Sequence, residues 1–155
     1  MNNFTYKILN EVYYRDLENS KDQFELMGTL QALTPFGIIT VPFGFITDMA
    51  SIPYLAQWLI PKSGKYNRPS IIHDYLYKKG GFTDENLEWV KLNQKQCDIT
   101  YYKLMLSRGV SRWKAYTQYK TLRMLGFIQW NKYRKLDNER IHRNLLNKID
   151  NKIKG

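Results

Sequence analysis

The sequence has little of what several protein classes require. Its single cysteine, Cys97, excludes an internal disulfide and every multi-cysteine zinc or redox motif. No run approaches the roughly 18 consecutive apolar residues of a membrane span. The start of the chain lacks a cationic segment followed by an apolar one, so no secretory signal peptide is predicted. We therefore expect the chain to fold in a reducing compartment.

Acidic residues are also scarce, and the imbalance is uneven along the chain. The 155 residues carry 24 basic and 14 acidic side chains, a net charge of +10. The excess lies after residue 60, because residues 1–60 are net acidic. Such a distribution favours a polyanionic partner, such as nucleic acid, an acidic protein surface or an anionic membrane surface. With 43% hydrophobic residues, the chain can bury the core of one domain.

The residue pattern changes from strands to helices along the chain. Short β-rich runs near residues 4–9, 23–30 and 38–41 predict a small antiparallel sheet. Helical spacing then predicts helices near residues 51–60, 69–79, 93–107 and 111–124, with a short one starting at 83–85. Residues 136–153 form a basic amphipathic helix. We therefore predict an α+β fold, with one domain over residues 1–130 and a helical extension over residues 131–155.

The first candidate motif is VPFGFITDMASIP, from Val41 to Pro53. One interpretation is architectural, because Asp48 or Ser51 can cap the following helix. The other places both side chains in a site where a strand meets a helix N-terminus, since free backbone N–H groups there favour anions. Spacing alone favours the architectural interpretation.

The second candidate motif is IIHDYLY, which contains His73 and Asp74. Adjacent helical positions point about 100 degrees apart, so these two side chains need not touch. His73 is a candidate general base or metal ligand, but a lone helical histidine is usually a buried hydrogen-bonding residue.

Together these motifs resemble a family. The run VPFGFITDMASIP, the run HDYLY, Gln96-Cys97-Asp98 and Arg108-Gly109-Val110 resemble the phage and prophage family called domain of unknown function 1353. The similarity covers roughly residues 35–130. Two positions depart from it: Tyr54 stands where the family usually has Arg, and Cys97 where it usually has Ala. The resemblance implies a bacteriophage or prophage source and a compact α+β domain, and it implies no activity.

The polar residues of the matched motifs suggest three chemistries. A metal site from Asp48, His73, Asp74 and Asp98 would suit Mn²⁺, Fe²⁺, Mg²⁺ or a catalytic Zn²⁺. Ser51 with His73 and an aspartate could perform acyl transfer, although no nucleophile-elbow glycines surround Ser51. Cys97 is the weakest candidate nucleophile. The alternative is a buried hydrogen-bond network that holds the helices against the sheet.

The basic second half contains candidate binding residues. Trp113, Tyr116 and Tyr119 fall at helical spacing among cations, where aromatic rings either stack on bases or form the packed side of a helix. A basic amphipathic tail commonly serves a partner protein, a membrane surface or nucleic acid. The candidate binding residues are Arg112, Lys120, Arg123, Arg134, Lys135, Arg140 and Arg143.

Two functions follow from these observations. The first is a small phage-encoded hydrolase, which a divalent metal could assist, with His73, Asp48 and Ser51 as catalytic residues. The second is a non-enzymatic virion or tail component, or a phage protein that binds a host factor, in which the His/Asp cluster is structural. Either protein would act in the host cytoplasm or in the virion.

Overall fold

The described structure is an α+β fold, as the sequence predicts. A computed structural model describes residues 5–17, 23–48 and 64–154. Its elements follow one another as β1 Lys7–Ile8, β2 Tyr14–Asp16, β3 Phe24–Leu26, β4 Leu30–Thr34, β5 Gly37–Val41, β6 Ile46–Thr47, α1 Asn67–Lys79, β7 Gly81–Thr83, β8 Trp89–Lys91, α2 Gln94–Ser107 and α3 Arg112–Lys154. Ser51 and the helix predicted near residues 51–60 lie outside the described residues.

Two small antiparallel sheets form the N-terminal part. Strands β1, β4 and β5 make one sheet, and β2, β3 and β6 make the other. The β4–β5 hairpin pairs Leu30 with Val41 and Thr34 with Gly37. Every second residue of β4 is buried, as the period of a strand with one covered face requires. The sheet around β4 therefore presents Leu30 and Ala32 to the helices.

The segment after α1 differs from the prediction. The expected short helix near residues 83–85 is wrong, because β7 and β8 form a hairpin there. The Asp84 carboxylate accepts hydrogen bonds from the backbone N–H groups of Asn86 and Glu88, each at 2.9 Å. Because these two bonds hold a turn, the Asp84 carboxylate is not available to cap the N-terminus of a helix.

The C-terminal half contains one long helix where the sequence predicts two. The helices expected near residues 111–124 and 136–153 are parts of α3. The residues between them include no proline, and the only glycine inside the helix, Gly126, packs against Tyr77. Gly109, with φ of 76°, separates α3 from α2. Helix α2 begins with a capping box between Asn93 and Gln96, close to the start that the helical spacing predicts.

Helix α1 lies at the centre of the fold. Its buried Ile71, Ile72 and Leu76 belong to one apolar core with Leu30 and Ile39 of the first sheet. A second buried cluster joins α2 to the first turns of α3. Helix α1 thus carries the HDYLY motif between the sheet and the other two helices. None of the described helices is long and apolar enough to cross a membrane.

Candidate functional site

His73 and Asp74 point to different neighbours, as their helical spacing predicts. His73 points toward α2, where its Nε2 lies 2.9 Å from Oδ1 of Asp98. Asp74 lies instead beside Lys78, one turn later on α1, with 3.1 Å between Oδ2 and Nζ. The two motif residues therefore belong to two separate polar groups on either side of α1.

The group around Asp98 is a buried hydrogen-bond network. The Asp98 side chain is fully buried, and that of His73 is 4% exposed. The Tyr77 hydroxyl donates to Oδ1 of Asp98 at 2.6 Å, and Nη1 of Arg123 donates to Oδ2 at 2.9 Å. One carboxylate thus holds side chains from α1 and α3 against α2. This bonding satisfies a carboxylate that would otherwise be costly to bury.

Further side chains extend this network into both helix interfaces. The Gln94 amide donates to the Tyr77 hydroxyl at 3.3 Å. The His73 ring packs on Tyr77 and Tyr101, with ring centroids 4.1 and 5.1 Å apart. The Tyr101 hydroxyl donates to Gln118 of α3 at 2.7 Å. His73 is therefore enclosed by aromatic rings and a carboxylate.

Burial changes the acidity of two groups beside Asp98. It raises the pKa of the Tyr77 hydroxyl, and the Asp98 charge and hydrogen bond raise it further. Burial, with the charge of Asp98, also raises the pKa of the Cys97 thiol to about 12. Because the thiolate is the nucleophile, this environment makes Cys97 unreactive at neutral pH. Its side chain belongs to the main apolar core.

The second polar group joins α1, β6 and α3. Lys78, which pairs with Asp74, also donates to the backbone carbonyl of Ile46 at 2.8 Å. Burial raises the pKa of Tyr133 on α3, and the nearby carboxylates of Asp74 and Asp48 add to this shift. The carboxylates of Asp74 and Asp48 therefore both lie within electrostatic reach of Tyr133.

The described side chains do not form the predicted metal-ligand set. Among them, no group of three or more His, Cys, Asp or Glu residues could hold a metal ion. His73 and Asp98 bind each other, and Arg123 and Lys78 place cations beside the carboxylates of Asp98 and Asp74. Each of these cations forms an ion pair with its carboxylate. The predicted acyl-transfer arrangement depends on Ser51, which lies outside the described residues.

The predicted binding cations fall into two groups. Arg123 reaches inward to Asp98, and Arg134 donates to the backbone carbonyls of Tyr77 and Lys78 at 2.8 and 3.0 Å. The Arg134 guanidinium also stacks on Trp130, 4.6 Å from the ring centroid. The other five are exposed: Arg112, Lys120, Lys135, Arg140 and Arg143.

Sequence reasoning missed three contributors to the network. Tyr77 stands one helical turn after His73 in the HDYLY motif, and this i, i+4 spacing could have identified it as a partner. No local pattern predicts the Gln94–Tyr77 and Arg123–Asp98 contacts, because each joins residues that are distant in sequence.

The outer face of α3 exposes large apolar side chains near both of its ends. Its side chains include Met124 at 69% exposure, Ile128 at 62%, and Leu145 and Ile149 at 53% each. The opposite face packs on the domain through Ala115, Leu122 and Gly126. After Asp137, every side chain described on α3 is exposed. The last turns of the helix therefore extend beyond the domain.

Comparison with known proteins identifies the family and no function. A family model described as "Protein of unknown function (DUF1353)" matches residues 24–122, more than half of the chain. No curated protein and no solved structure gives a significant match. The match contains the HDYLY motif, Asp98 and the start of α3. The chain belongs to the DUF1353 family.

Proposed function

We propose that this is a non-enzymatic bacteriophage or prophage protein that binds an acidic protein of the virion or of the host cell. The basic C-terminal part of α3 would make the contact. The His73–Asp98 cluster would stabilise the fold on which that helix stands. A phage source is what resemblance to the family implies.

The observation that carries this proposal is the projecting end of α3. Residues 138–154 would extend about 25 Å beyond the packed part, at 1.5 Å per residue. An isolated helix in water is marginal unless another surface covers its apolar side. Ile141, Leu145 and Ile149 have no such cover within the described chain. The projecting helix therefore supports a role in binding.

Charge indicates the chemistry of the partner. The end of α3 carries exposed Lys132, Lys135, Arg140 and Arg143. Two acidic residues, Asp137 and Glu139, lie among these four cations, and the Asp137 carboxylate pairs with Arg134 and Arg140. The remaining positive field favours an acidic surface and accelerates encounter with it.

The geometry around His73 favours a structural role over a hydrolytic one. A general base needs access to the proton that it removes. His73 is buried, and its Nε2 is hydrogen-bonded to Asp98. The Asp98 carboxylate also accepts hydrogen bonds from Tyr77 and Arg123. Hydrolase activity stays a prediction, to be tested by comparing wild-type protein with a folded His73→Gln variant.

The test is a charge-reversal experiment in cells that carry the encoding phage or prophage. Arg140→Glu with Arg143→Glu removes four units of charge from the helix, whereas Lys91→Glu with Lys95→Glu makes the same change elsewhere on the surface. Affinity purification and mass spectrometry should identify an acidic protein with wild type and the Lys91/Lys95 control, but not with the Arg140/Arg143 variant.

Direct binding between purified proteins then confirms the contact, and it should weaken as salt is added. His73→Gln should bind normally. Equal binding by the Arg140/Arg143 variant would contradict the proposal, as would a hydrolytic activity that only His73→Gln abolishes.

A further inference from the structure

The exposed face of α3 contains a regular row of side chains, which we call the outer row. Successive members are separated by alternating steps of four and three residues, the spacing of a coiled-coil seam. All of them are exposed. The members are Met124, Ile128, Asn131, Lys135, Asn138, His142, Leu145 and Ile149.

The outer row is apolar at both ends and polar in the middle. Met124 and Ile128 form one end, and Leu145 and Ile149 form the other. This order reads the same from either direction, so two copies of the row match when they run antiparallel. We propose that a second copy of this chain covers the outer row as an antiparallel two-helix coiled coil. This inference rests on the proposed function only in treating α3 as a binding element.

The antiparallel register pairs side chains of like character. Met124 would lie opposite Ile149 of the second copy, and Ile128 opposite Leu145. In the middle, Asn131 would meet His142 and Lys135 would meet Asn138. Each apolar position thus gains an apolar neighbour, and each polar position keeps a hydrogen-bonding neighbour.

A parallel arrangement with the same row would be less favourable. It would place Lys135 of each copy against Lys135 of the other, at the centre of the seam. Like charges at such a position oppose association. In the antiparallel pair the Lys135 side chains lie in separate layers, and Lys132 beside the seam meets Glu139 of the second copy. The charge pattern therefore selects the antiparallel direction.

The domains leave room for this pairing. The packed face of α3 carries Leu122, Gly126 and Tyr133, and it lies opposite the outer row on the same helix. A second helix can therefore lie along residues 124–149, about 39 Å at 1.5 Å per residue, without displacing α1 or α2. Arg140 and Arg143 lie off the seam and stay available to an acidic partner.

Cysteine cross-linking tests both the pairing and its direction. In a Cys97→Ala background, Ile128→Cys protein is mixed with Leu145→Cys protein under mild oxidation. The antiparallel pair should give a disulfide dimer only in the mixture. A disulfide formed by either variant alone would indicate a parallel pair and overturn the proposal.

Sedimentation velocity on the wild-type chain tests the mass. We expect a concentration-dependent dimer that strengthens with added salt, because salt screens repulsion between two basic helices. Leu145→Asp should abolish the dimer, whereas Asn144→Asp puts the same charge on the adjacent position, off the seam, and should preserve it. Circular dichroism of both variants checks that the fold is retained.

The result separates this inference from the proposed function. A chain that stays monomeric at every concentration and salt overturns the dimer, whether or not an acidic partner binds. A dimer whose Arg140/Arg143 variant captures the same proteins as wild type supports the dimer and contradicts the proposed function.

Discussion

Polar side chains are buried on one face of α3, and apolar side chains are exposed on the other. On the inner face, Arg123 and Gln118 reach buried partners, the carboxylate of Asp98 and the hydroxyl of Tyr101. On the outer face, Met124 and Ile128 stand in solvent. From residue type alone, the polar inner face would be predicted to be a reactive or binding site, and the apolar outer face would be predicted to pack in the core. The structure reverses this assignment. The polar side chains of the inner face are bound to buried partners within the fold, whereas the apolar side chains of the outer face are exposed.

The comparison teaches how to weigh a polar cluster against an apolar surface. A buried polar group whose bonds are made within the fold already has a sufficient reason to be there. Large apolar side chains exposed at both ends of one helix row have no such reason, because leaving them in water forfeits the free energy of burial. The outer face of α3 is therefore the stronger indication of function. Changes within the network, each paired with a control at an exposed position outside the outer row, test this contrast.

Asp98→Asn should have the largest effect. The neutral amide cannot accept from His73, Tyr77 and Arg123 as the carboxylate does, and Arg123 loses its counter-charge. Breaking a buried ion pair costs about 3–5 kcal/mol, and we expect about 3 because Arg123 is 31% exposed. Urea denaturation measures the free energy of unfolding. Glu88→Gln, an exposed carboxylate in the turn between β7 and β8, should change it by less than about 0.5 kcal/mol.

Gly126→Ala should have an intermediate effect. Alanine normally stabilises a helix interior by up to about 1 kcal/mol relative to glycine. Here the added Cβ would lie 2.6 Å from the Tyr77 hydroxyl, which its bond to Asp98 holds in place. Overpacking costs about 1–3 kcal/mol, so we expect a net loss of about 1–2.

Asn144→Ala, at an exposed position of the same helix off the outer row, is the control for this substitution. It should raise the melting temperature slightly, whereas Gly126→Ala should lower it. Stabilisation by both alanines would show that α3 does not approach Tyr77 closely.

Tyr77→Phe should cost about 1.5 kcal/mol at neutral pH, the lower end of the range for a hydrogen bond to a charged group, because Asp98 keeps His73 and Arg123 as partners. At alkaline pH it should act differently. The pKa of Tyr77 is raised in the folded state, so the folded protein holds this proton more tightly than the unfolded chain, whose tyrosines titrate near pH ~10. The stability due to this proton is complete below that pH and is lost as pH rises above it.

The free energy of unfolding of Tyr77→Phe should therefore fall less steeply above pH ~10 than that of wild type. Tyr116→Phe, at an exposed position of α3, should follow the wild-type curve. If all three curves coincide, the pKa of Tyr77 is not raised in the folded state, which contradicts its burial beside Asp98.

The sequence predicts the elements of this fold better than their connections. The β-branched run of β5 and the start of α2 near Asn93 are local signals, and the structure agrees with both. The hairpin after α1 was missed because Asp84 can cap a helix or hold a turn, and only its bonds distinguish the two. The continuity of α3 was missed because residues 129–135, five of which are Gln, Asn, Lys or Arg, interrupt the apolar pattern without interrupting the helix.

The candidate site was predictable in part. His73 and Asp98 both belong to the matched motifs, and the structure places them in contact. Asp74 was assigned to the same site, but it pairs with Lys78 on α1, because consecutive helical residues diverge. Whether the pair is catalytic stays a prediction. Arg123 was selected for its charge as a binding residue, and sequence could not show that the helix turns it inward.

Arg134 determines how far the chain can be truncated from its C-terminus without losing a contact with α1. Its guanidinium covers the last carbonyls of α1 and lies where a Cβ on residue 80 would be, so Gly80 and Arg134 occupy complementary space. A cation at that place also opposes the partial negative charge of the helix end. A chain ending at the expected boundary, residue 130, would remove this cap along with the extension. A truncation that keeps this contact must therefore end after Asp137. The domain then includes α3 as far as Asp137, and only the later residues of the helix can be removed.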